Sequence, residues 1–442
     1  MKLKEIKITV LGLGYVGIVL ANEFSKKYSC IGYDIDKKRI SELKNNIDRT
    51  QQLKAHEIKK SKILFTSNNN EIRNSNIYII TVPTPIYTNK KPNLNSLIMA
   101  TKLVAKFINK TNYVIYESTV YPGTTEEVCI PLLEKHSSLK ANIDFFVGYS
   151  PERINPSDKK NKLTNINKIV SSQSLKSTNF IKKLYQSIIK NAQIYKADTI
   201  KIAEAAKIIE NTQRDINIAL MNELSILFRK LDINTLKVIE AASTKWNFLK
   251  FYPGLVGGHC IGVDPYYLTY KSINAGYDPK IILSGRKIND NMGKEIAKFL
   301  FDKFKTKKII SINILGLTFK ENCNDIRNSR IIDIINYFNS KRCQIKCHDP
   351  LLEYKKINIE NINIINSPFQ KLKKTDILFI NVAHEIFKKK SDKDIKKLLK
   401  KNTVIYDLKG MLSKREFITN KLYNYFTPWK KTQKKFYFLL IL

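Results

Sequence analysis

The chain has 442 residues, 43% of them hydrophobic, with 77 Lys and Arg against 39 Asp and Glu and a formal net charge of +38 at pH 7. That length gives two or three domains with real cores, and no run reaches the ~20 apolar residues that cross a bilayer, so no stable membrane insertion is expected. The charge first suggests a nucleic-acid or anionic-surface partner. The lysines, however, are scattered among abundant Asn and Ile, with no aromatic-interleaved basic stripe and no recognition motif, so no nucleic-acid partner is expected.

Six irregularly spaced cysteines do not make a disulfide framework, which points to a reducing, cytoplasmic compartment. Cys343, Cys347 and His348 lack a second ligand pair at zinc-like spacing, so no metal is expected. The apolar run behind Lys2 and Lys4 has no small-residue cleavage site and does not read as a signal peptide.

Residues 7–11 form a β-branched, apolar run that predicts a buried strand. It leads into Gly12-Leu13-Gly14-Tyr15-Val16-Gly17, and the chain continues as a helix to about Phe24. Strand, GxGxxG and helix in that order are the context of a dinucleotide fingerprint. Gly12 permits the turn, Gly14 lets backbone approach a pyrophosphate, and Gly17 lets helix and strand pack closely. The helix N-terminus offers N–H groups and a positive dipole end to phosphate. A second predicted strand, 30–33, ends at Asp34, whose carboxylate would accept hydrogen bonds from a ribose and repel a 2′-phosphate. NAD is therefore expected over NADP, although Lys37, Lys38 and Arg39 stand close by. Tyr15, Val16 and Arg39 complete the expected cofactor contacts on this side.

Further strands are predicted at 77–82, 113–116 and 145–149. Ligands of open α/β sheets lie beyond the carboxyl ends of strands, which places Thr84, Ser118, Thr119 and Glu152 at the cofactor crevice. For Ser118 an ordinary turn role is the plainer expectation. Residues 199–231 predict one long helix, capped by Asp198 or Thr199, with an apolar stripe through Ile216, Ala219, Leu220, Leu224, Leu227 and Leu231. A helix of this length bridges domains or pairs with a partner subunit. Glu204, Lys207 and Asn211 fall on one face of it.

The loop 254–267 carries Gly254, Gly257, Gly258 and Gly262 around Cys260, with Asp264 four residues on. The glycines allow positive φ and close approach of a ligand, and a thiolate formed there is a strong nucleophile. Just upstream, Trp246, Phe248, Phe251 and Tyr252 make either an apolar wall for a ligand or a plain core cluster. A helix is predicted at 280–301. Residues 308–319 restart the strand-plus-glycine pattern, then give Lys320, Arg327 and a helix from about Ser329, with strands at 344–348, 377–382 and 404–406. This second α/β unit has only a degenerate fingerprint. The basic, then apolar tail has no assigned role.

The GxGxxG, Glu117-Ser118-Thr119, Ser150-Pro151-Glu152-Arg153, Glu204 to Asn211, and Gly257-Gly258-His259-Cys260-Ile261-Gly262-Val263-Asp264 together resemble the UDP-glucose/GDP-mannose dehydrogenase family, in order, from about residue 5 to about 412. The resemblance implies α/β architecture, two Rossmann-like doubly wound domains joined by a long central helix. It divides the chain into an NAD-binding domain at 1–196, a central helical and dimerisation domain at 197–302, a UDP-sugar-binding domain at 303–420 and a tail at 421–442. It also implies a homodimer and oxidation of a UDP-sugar at C6, from alcohol to carboxylate, with two NAD⁺ and one water. His259 and Val263 stand where the glucose branch has Ser and Lys, which is similar to the branch acting on 2-acetamido sugars. UDP-N-acetyl-D-glucosamine is then the expected substrate, for surface polysaccharide synthesis, with UDP-N-acetyl-D-galactosamine the alternative.

The same resemblance gives the residues their roles. Cys260 would carry a thiohemiacetal and then a thioester. Lys207 and Asn211 would support the anionic oxygen, Asp264 or Glu152 would position or deprotonate water, and Thr119 would serve the reaction centre. Tyr252, Gly257 and Lys320 would contact the UDP-sugar, as would Glu152, Lys207 and Asn211, and Arg327 would reach NAD. A one-hydride hydroxyacid dehydrogenase would need no Cys260 loop, and a catalytically dead binder would not need Cys260, Lys207 and Asp264 together.

Overall fold

The computed structural model describes residues 5–154, 162–258, 261–304, 307, 309–359, 362–419, 423–428 and 430–431. His259 and Cys260, and the chain beyond Lys431, lie outside them. The chain forms two compact units, one of Met1–Asn211 with Val263–Pro279 and one of Thr212–Gly262 with Lys280–Leu442.

In the first unit, β1 (Lys7–Leu11), β2 (Ser29–Tyr33), β3 (Ile63–Thr66), β4 (Ile77–Ile80), β5 (Tyr113–Tyr116), β6 (Phe146–Tyr149), β7 (Lys168–Ser172) and β8 (Ile194–Lys196) form one sheet in the order β3-β2-β1-β4-β5-β6-β7-β8. Every pairing is parallel except β6 with β7. β4 and β5 are buried along their whole length, as expected for strands covered on both faces. The strand order reverses between β1 and β4, and the crevice at their carboxyl ends is where doubly wound sheets bind ligands.

The turn after β1 shows why glycine stands at position 12. Its φ is +92°, and a Cβ there would come 3.1 Å from the backbone of Thr81. A Cβ on Gly17, which opens the helix Gly17–Ser25, would strike the Gly12 carbonyl oxygen and Thr81 Oγ1. Around Gly14 the space is open, with no atom within 4 Å of an added Cβ. β3, β7 and β8 went unread in the sequence because their apolar runs are short and interrupted by Lys, Ser and Thr.

In the second unit, β9 (Ser311–Leu315), β10 (Gln344–His348), β13 (Thr375–Ile380), β14 (Leu399–Asp407), β15 (Asn424–Thr427) and β16 (Lys430–Lys431) form a sheet in the order β10-β9-β13-β14-β15-β16, and β11 (Lys356–Ile359) and β12 (Ile362–Ile365) make a separate hairpin. The sheet is parallel up to β15, with β16 antiparallel.

The two sheets start alike, bond for bond. Gly12 N donates to Tyr33 O at 2.9 Å and Gly316 N to His348 O at 2.8 Å. Leu13 N donates to Asp34 Oδ2 at 2.8 Å and Leu317 N to Asp349 Oδ2 at 2.7 Å. Gly316 also has positive φ, +89°. They then diverge. Asp34 is half-buried, whereas Asp349 is sealed, with the His384 ring 3.3 Å away and a second N–H, from Thr318, at 3.1 Å. The helix after Gly316 starts only at Ile331. The carboxylate of the first unit stays partly accessible; that of the second is enclosed by the protein.

The long helix is Ile200–Lys230, begun by Thr199 Oγ1 accepting from Ile202 N at 3.2 Å. Its first turns belong to one unit and the rest to the other in sequence. The helix read at 280–301 is Lys280–Phe301.

Candidate active site

The glycine turn of the first unit is tied together by short-range bonds. Asp34 Oδ1 also accepts from Asp36 N at 2.9 Å, so the carboxylate fixes both the glycine turn and its own loop. Arg39 is buried: its Nε donates to Leu13 O at 2.9 Å, its Nη2 pairs with Asp48 at 2.7 Å, and its Nη1 is buried with no hydrogen-bond partner among the described residues. The positive charge of Arg39 is thus already paired beside the turn, which removes it as an attractor of a 2′-phosphate. Thr84 Oγ1 donates to Thr119 O at 2.6 Å, joining the loops after β4 and β5. Ser118 has the turn role expected of it, donating to Val82 O at 2.7 Å.

On the same unit, three residues from distant motifs meet. Asp264 begins the helix Asp264–Asn274 and is buried. Asn211 Nδ2 donates to Asp264 Oδ2 at 2.6 Å, and the charge of Lys207, one helical turn from Asn211, also acts on this carboxylate. Burial pushes the Asp264 carboxyl up to about 6, against the opposing pull of Lys207 and Asn211. Glu204 shares their helix but not their task. Its carboxylate accepts from Gly123 N at 2.5 Å and Thr125 N at 2.9 Å, and burial pushes it up to about 7. It holds the 123–125 turn.

Glu152 follows β6. One carboxylate oxygen accepts from Ile154 N, and Oε2 is buried with no hydrogen-bond partner among the described residues. An orphaned buried carboxylate oxygen is costly unless something else satisfies it. That makes Glu152 a candidate for a ligand or a water.

In the second unit the loop leading to Cys260 is clamped by its backbone. Gly254 N donates to Asn222 Oδ1 at 2.8 Å, and Asn222 Nδ2 returns a bond to Gly254 O at 3.0 Å. Arg330 Nε donates to Val256 O at 3.3 Å and Gly258 N to Asn328 O at 3.2 Å. A Cβ on Gly257 would come 2.7 Å from Asn328 O, and one on Gly258 2.7 Å from the Phe319 ring. Arg327 is oriented by Asp325, with Nη2 to Oδ2 at 2.6 Å, and its side chain stays exposed. Lys320 is half-buried, and its carbonyl accepts from Thr318 Oγ1 at 3.0 Å. Tyr252 is exposed and Trp246 is 92% exposed, whereas Phe248 and Phe251 are half-buried, so the four aromatics do not make one buried core cluster.

Cys30, Cys129 and Cys347 are buried thiols pushed up to about 12 by desolvation, so none is a nucleophile near neutrality. Among the described residues no group of three His, Cys, Asp or Glu could hold a metal, and no helix is long and apolar enough to cross a membrane.

Comparison with known proteins matches residues 6–189 to the NAD binding domain, 201–291 to the central domain and 313–414 to the UDP binding domain of one family. The chain belongs to the UDP-glucose/GDP-mannose dehydrogenase family. It is 50% identical over 413 residues to the UDP-N-acetyl-D-glucosamine 6-dehydrogenase of Salmonella typhi, covering 92% of this chain and 97% of that protein. The enzyme of the same name from Pseudomonas aeruginosa is 46% identical over 416 residues, covering 93% and 98%. Among solved structures, the UDP-D-ManNAc dehydrogenase of Pyrococcus horikoshii superposes with a TM-score of 0.85 at 29% identity, over 96% of this chain and 99% of that one.

For a member of the UDP-glucose/GDP-mannose dehydrogenase family, the first unit fits its cofactor. The open space at Gly14, the close helix packing that Gly17 permits and the part-exposed Asp34 suit a pyrophosphate and an adenosine ribose. The enzyme is a nucleotide-sugar oxidoreductase that uses NAD. What the sequence did not signal is the support behind Glu152, where Lys168 and Tyr185 lie buried. A lysine in a Ser- and Lys-rich stretch reads as solvated surface.

Proposed function

We infer that this enzyme oxidises UDP-N-acetyl-D-glucosamine at C6 to UDP-N-acetyl-D-glucosaminuronate, for surface polysaccharide synthesis in the cytoplasm, where nucleotide sugars and NAD are held. Bound NAD⁺ would accept hydride from C6 twice, so that RCH₂OH + 2 NAD⁺ + H₂O gives RCOO⁻ + 2 NADH + 3 H⁺. The observation that carries the reading is the buried Lys207–Asn211–Asp264 cluster, which supplies a cation, a hydrogen-bond donor and a carboxylate of raised proton affinity. Those are the groups needed where an alcohol oxygen loses its proton and a tetrahedral carbon then carries an oxyanion.

In this reading Cys260 adds to the C6 aldehyde and holds the sugar as a thiohemiacetal and then as a thioester. Lys207 and Asn211 stabilise the oxygen on C6. Asp264, whose Oδ2 is engaged by Asn211, fixes that pair. Glu152, with one oxygen free of protein donors among the described residues, takes the proton of the water that resolves the thioester. Thr84 and Thr119 line the cofactor crevice with Gly12, Gly14, Tyr15, Val16, Gly17 and Asp34, while the buried Arg39 supports the turn from behind through Leu13 O. Tyr252, Gly257 and Lys320 serve the nucleotide sugar, and Arg327 serves the cofactor.

The reading is tested by counting NADH per sugar over a panel of UDP-sugars. Two NADH per UDP-N-acetyl-D-glucosamine are expected, with UDP-N-acetyl-D-galactosamine as nearest competitor and UDP-glucose well behind. An apolar pocket for a methyl gives ~1–3 kcal/mol of discrimination, and hydrogen bonding to the amide adds to it. Turnover of UDP-glucose as fast as either acetamido sugar would refute the substrate assignment and leave the family intact.

A homodimer is also proposed. In the second unit the long helix leaves Leu220 and Leu227 exposed, and Leu231 just after its end is exposed too, apolar side chains of the kind a second copy would cover. Sedimentation equilibrium should give twice the chain mass, and Leu220→Glu with Leu227→Glu should give the monomer; a monomeric unmodified chain would rule the dimer out.

A further inference from the structure

Behind the Glu152 segment lies a charge cluster that the roles above do not use. Glu117, directly after β5, and Lys168, the first residue of β7, form an ion pair with side chains 0% and 2% exposed, Nζ to Oε2 2.5 Å. The other Glu117 oxygen accepts from the Tyr185 hydroxyl. Lys168 Nζ also donates to Pro151 O at 3.1 Å and lies 5.2 Å from the centre of the Tyr185 ring. Lysine is almost never buried this fully unless paired. Well-packed apolar residues would be as stable in its place, so stability alone is a weak reason for a buried ion pair.

The position of the acceptor supplies a better reason. Pro151 is the residue before Glu152, and the Glu152 carboxylate is close enough to act electrostatically on Glu117. Lys168 therefore grips the backbone one peptide from the carboxylate whose Oε2 lacks a protein donor among the described residues. Its positive charge is paired with Glu117. We propose that Glu117, Lys168 and Tyr185 are positioning residues for Glu152: they fix the Pro151 carbonyl, and with it the orientation and charge environment of the carboxylate that activates the hydrolytic water. The inference rests on the assignment of water activation to Glu152.

The test reads one chemical step apart from the rest. Enzyme is mixed with NAD⁺ and UDP-N-acetyl-D-glucosamine, quenched in acid, and weighed intact by mass spectrometry for an acyl adduct on Cys260. Glu152→Gln is expected to accumulate that adduct; its absence would remove the assignment to Glu152 itself. Given the adduct in Glu152→Gln, the double variant Glu117→Gln/Lys168→Met should also accumulate it, with kcat down ~10–100-fold from a misplaced group and KM for sugar and NAD nearly unchanged. Lys168→Arg, which keeps charge and donors, should restore most of the rate. Tyr185→Phe, which removes only a hydroxyl, should show a smaller adduct population, and it decides the matter if the double variant does not bind NAD. No adduct in Tyr185→Phe, or a double variant slowed evenly in every step, would overturn the positioning role.

Discussion

Replacing Cys260 by serine is expected to abolish net four-electron oxidation, a loss of at least about 10³-fold in kcat, in line with the loss of other covalent nucleophiles. A serine hydroxyl stays protonated where a thiolate forms, so the aldehyde made by the first oxidation has no partner that carries it to the second. Ligand binding should survive. The loop before position 260 is fixed through Asn222 on Gly254, Arg330 on Val256 O and Asn328 on Gly258 N, and none of these uses the cysteine side chain. The measurement pairs calorimetric binding of NAD and UDP-sugar with NADH released per sugar. Two NADH per sugar at more than a tenth of the unmodified rate would end the covalent mechanism. The serine variant also separates this reading from a one-hydride dehydrogenase, which would not notice the change.

The glycine turn was readable because it breaks two local rules at once. Gly12 must take positive φ and Gly17 must let the helix lie against Gly12 and Thr81, and no other residue type does both. Asp264, Asn211 and Lys207 were readable as a set only through their motifs, since 53 residues separate the first two and no periodicity links them. Glu204 shows the limit of a helical-face argument. It has the right spacing to Lys207 and Asn211, yet two orphan N–H groups at 123 and 125 capture its carboxylate. Burial of polar side chains was the least legible property. Lys168, Asp349 and His384 look like surface residues in sequence and are enclosed by strands or rings that come from elsewhere in the chain. The sealed Asp349 is informative in the same way: both sheets start with the same bonds, and only tertiary context decides which carboxylate remains open to a ribose.

Replacing Lys207 by methionine is expected to lower kcat by about 10²–10³-fold, the loss typical of one oxyanion donor, and to move the acid limb of the pH–rate profile upward. The sign follows from Asp264. Burial, outweighing the opposing pull of the Lys207 charge and the Asn211 bond, leaves this carboxyl raised from its ordinary 3.8 to about 6. Between those two values the folded protein holds a proton that the unfolded chain has released. Its contribution to stability is thus full below about pH 4 and fades as pH rises through about 6. Activity runs the other way, because the ionised carboxylate is the form that accepts the Asn211 hydrogen bond and orders the pair on C6. Activity should therefore fall as pH drops below about 6 in the unmodified enzyme. Methionine keeps the length and burial of Lys207 but removes the cation, so Asp264 protonates at higher pH and the limb shifts upward. Asp264→Asn should lose the limb altogether, since an amide does not titrate. A profile in Lys207→Met with its acid limb unmoved, or moved to lower pH, would show that the coupling between Lys207 and Asp264 does not govern the reaction.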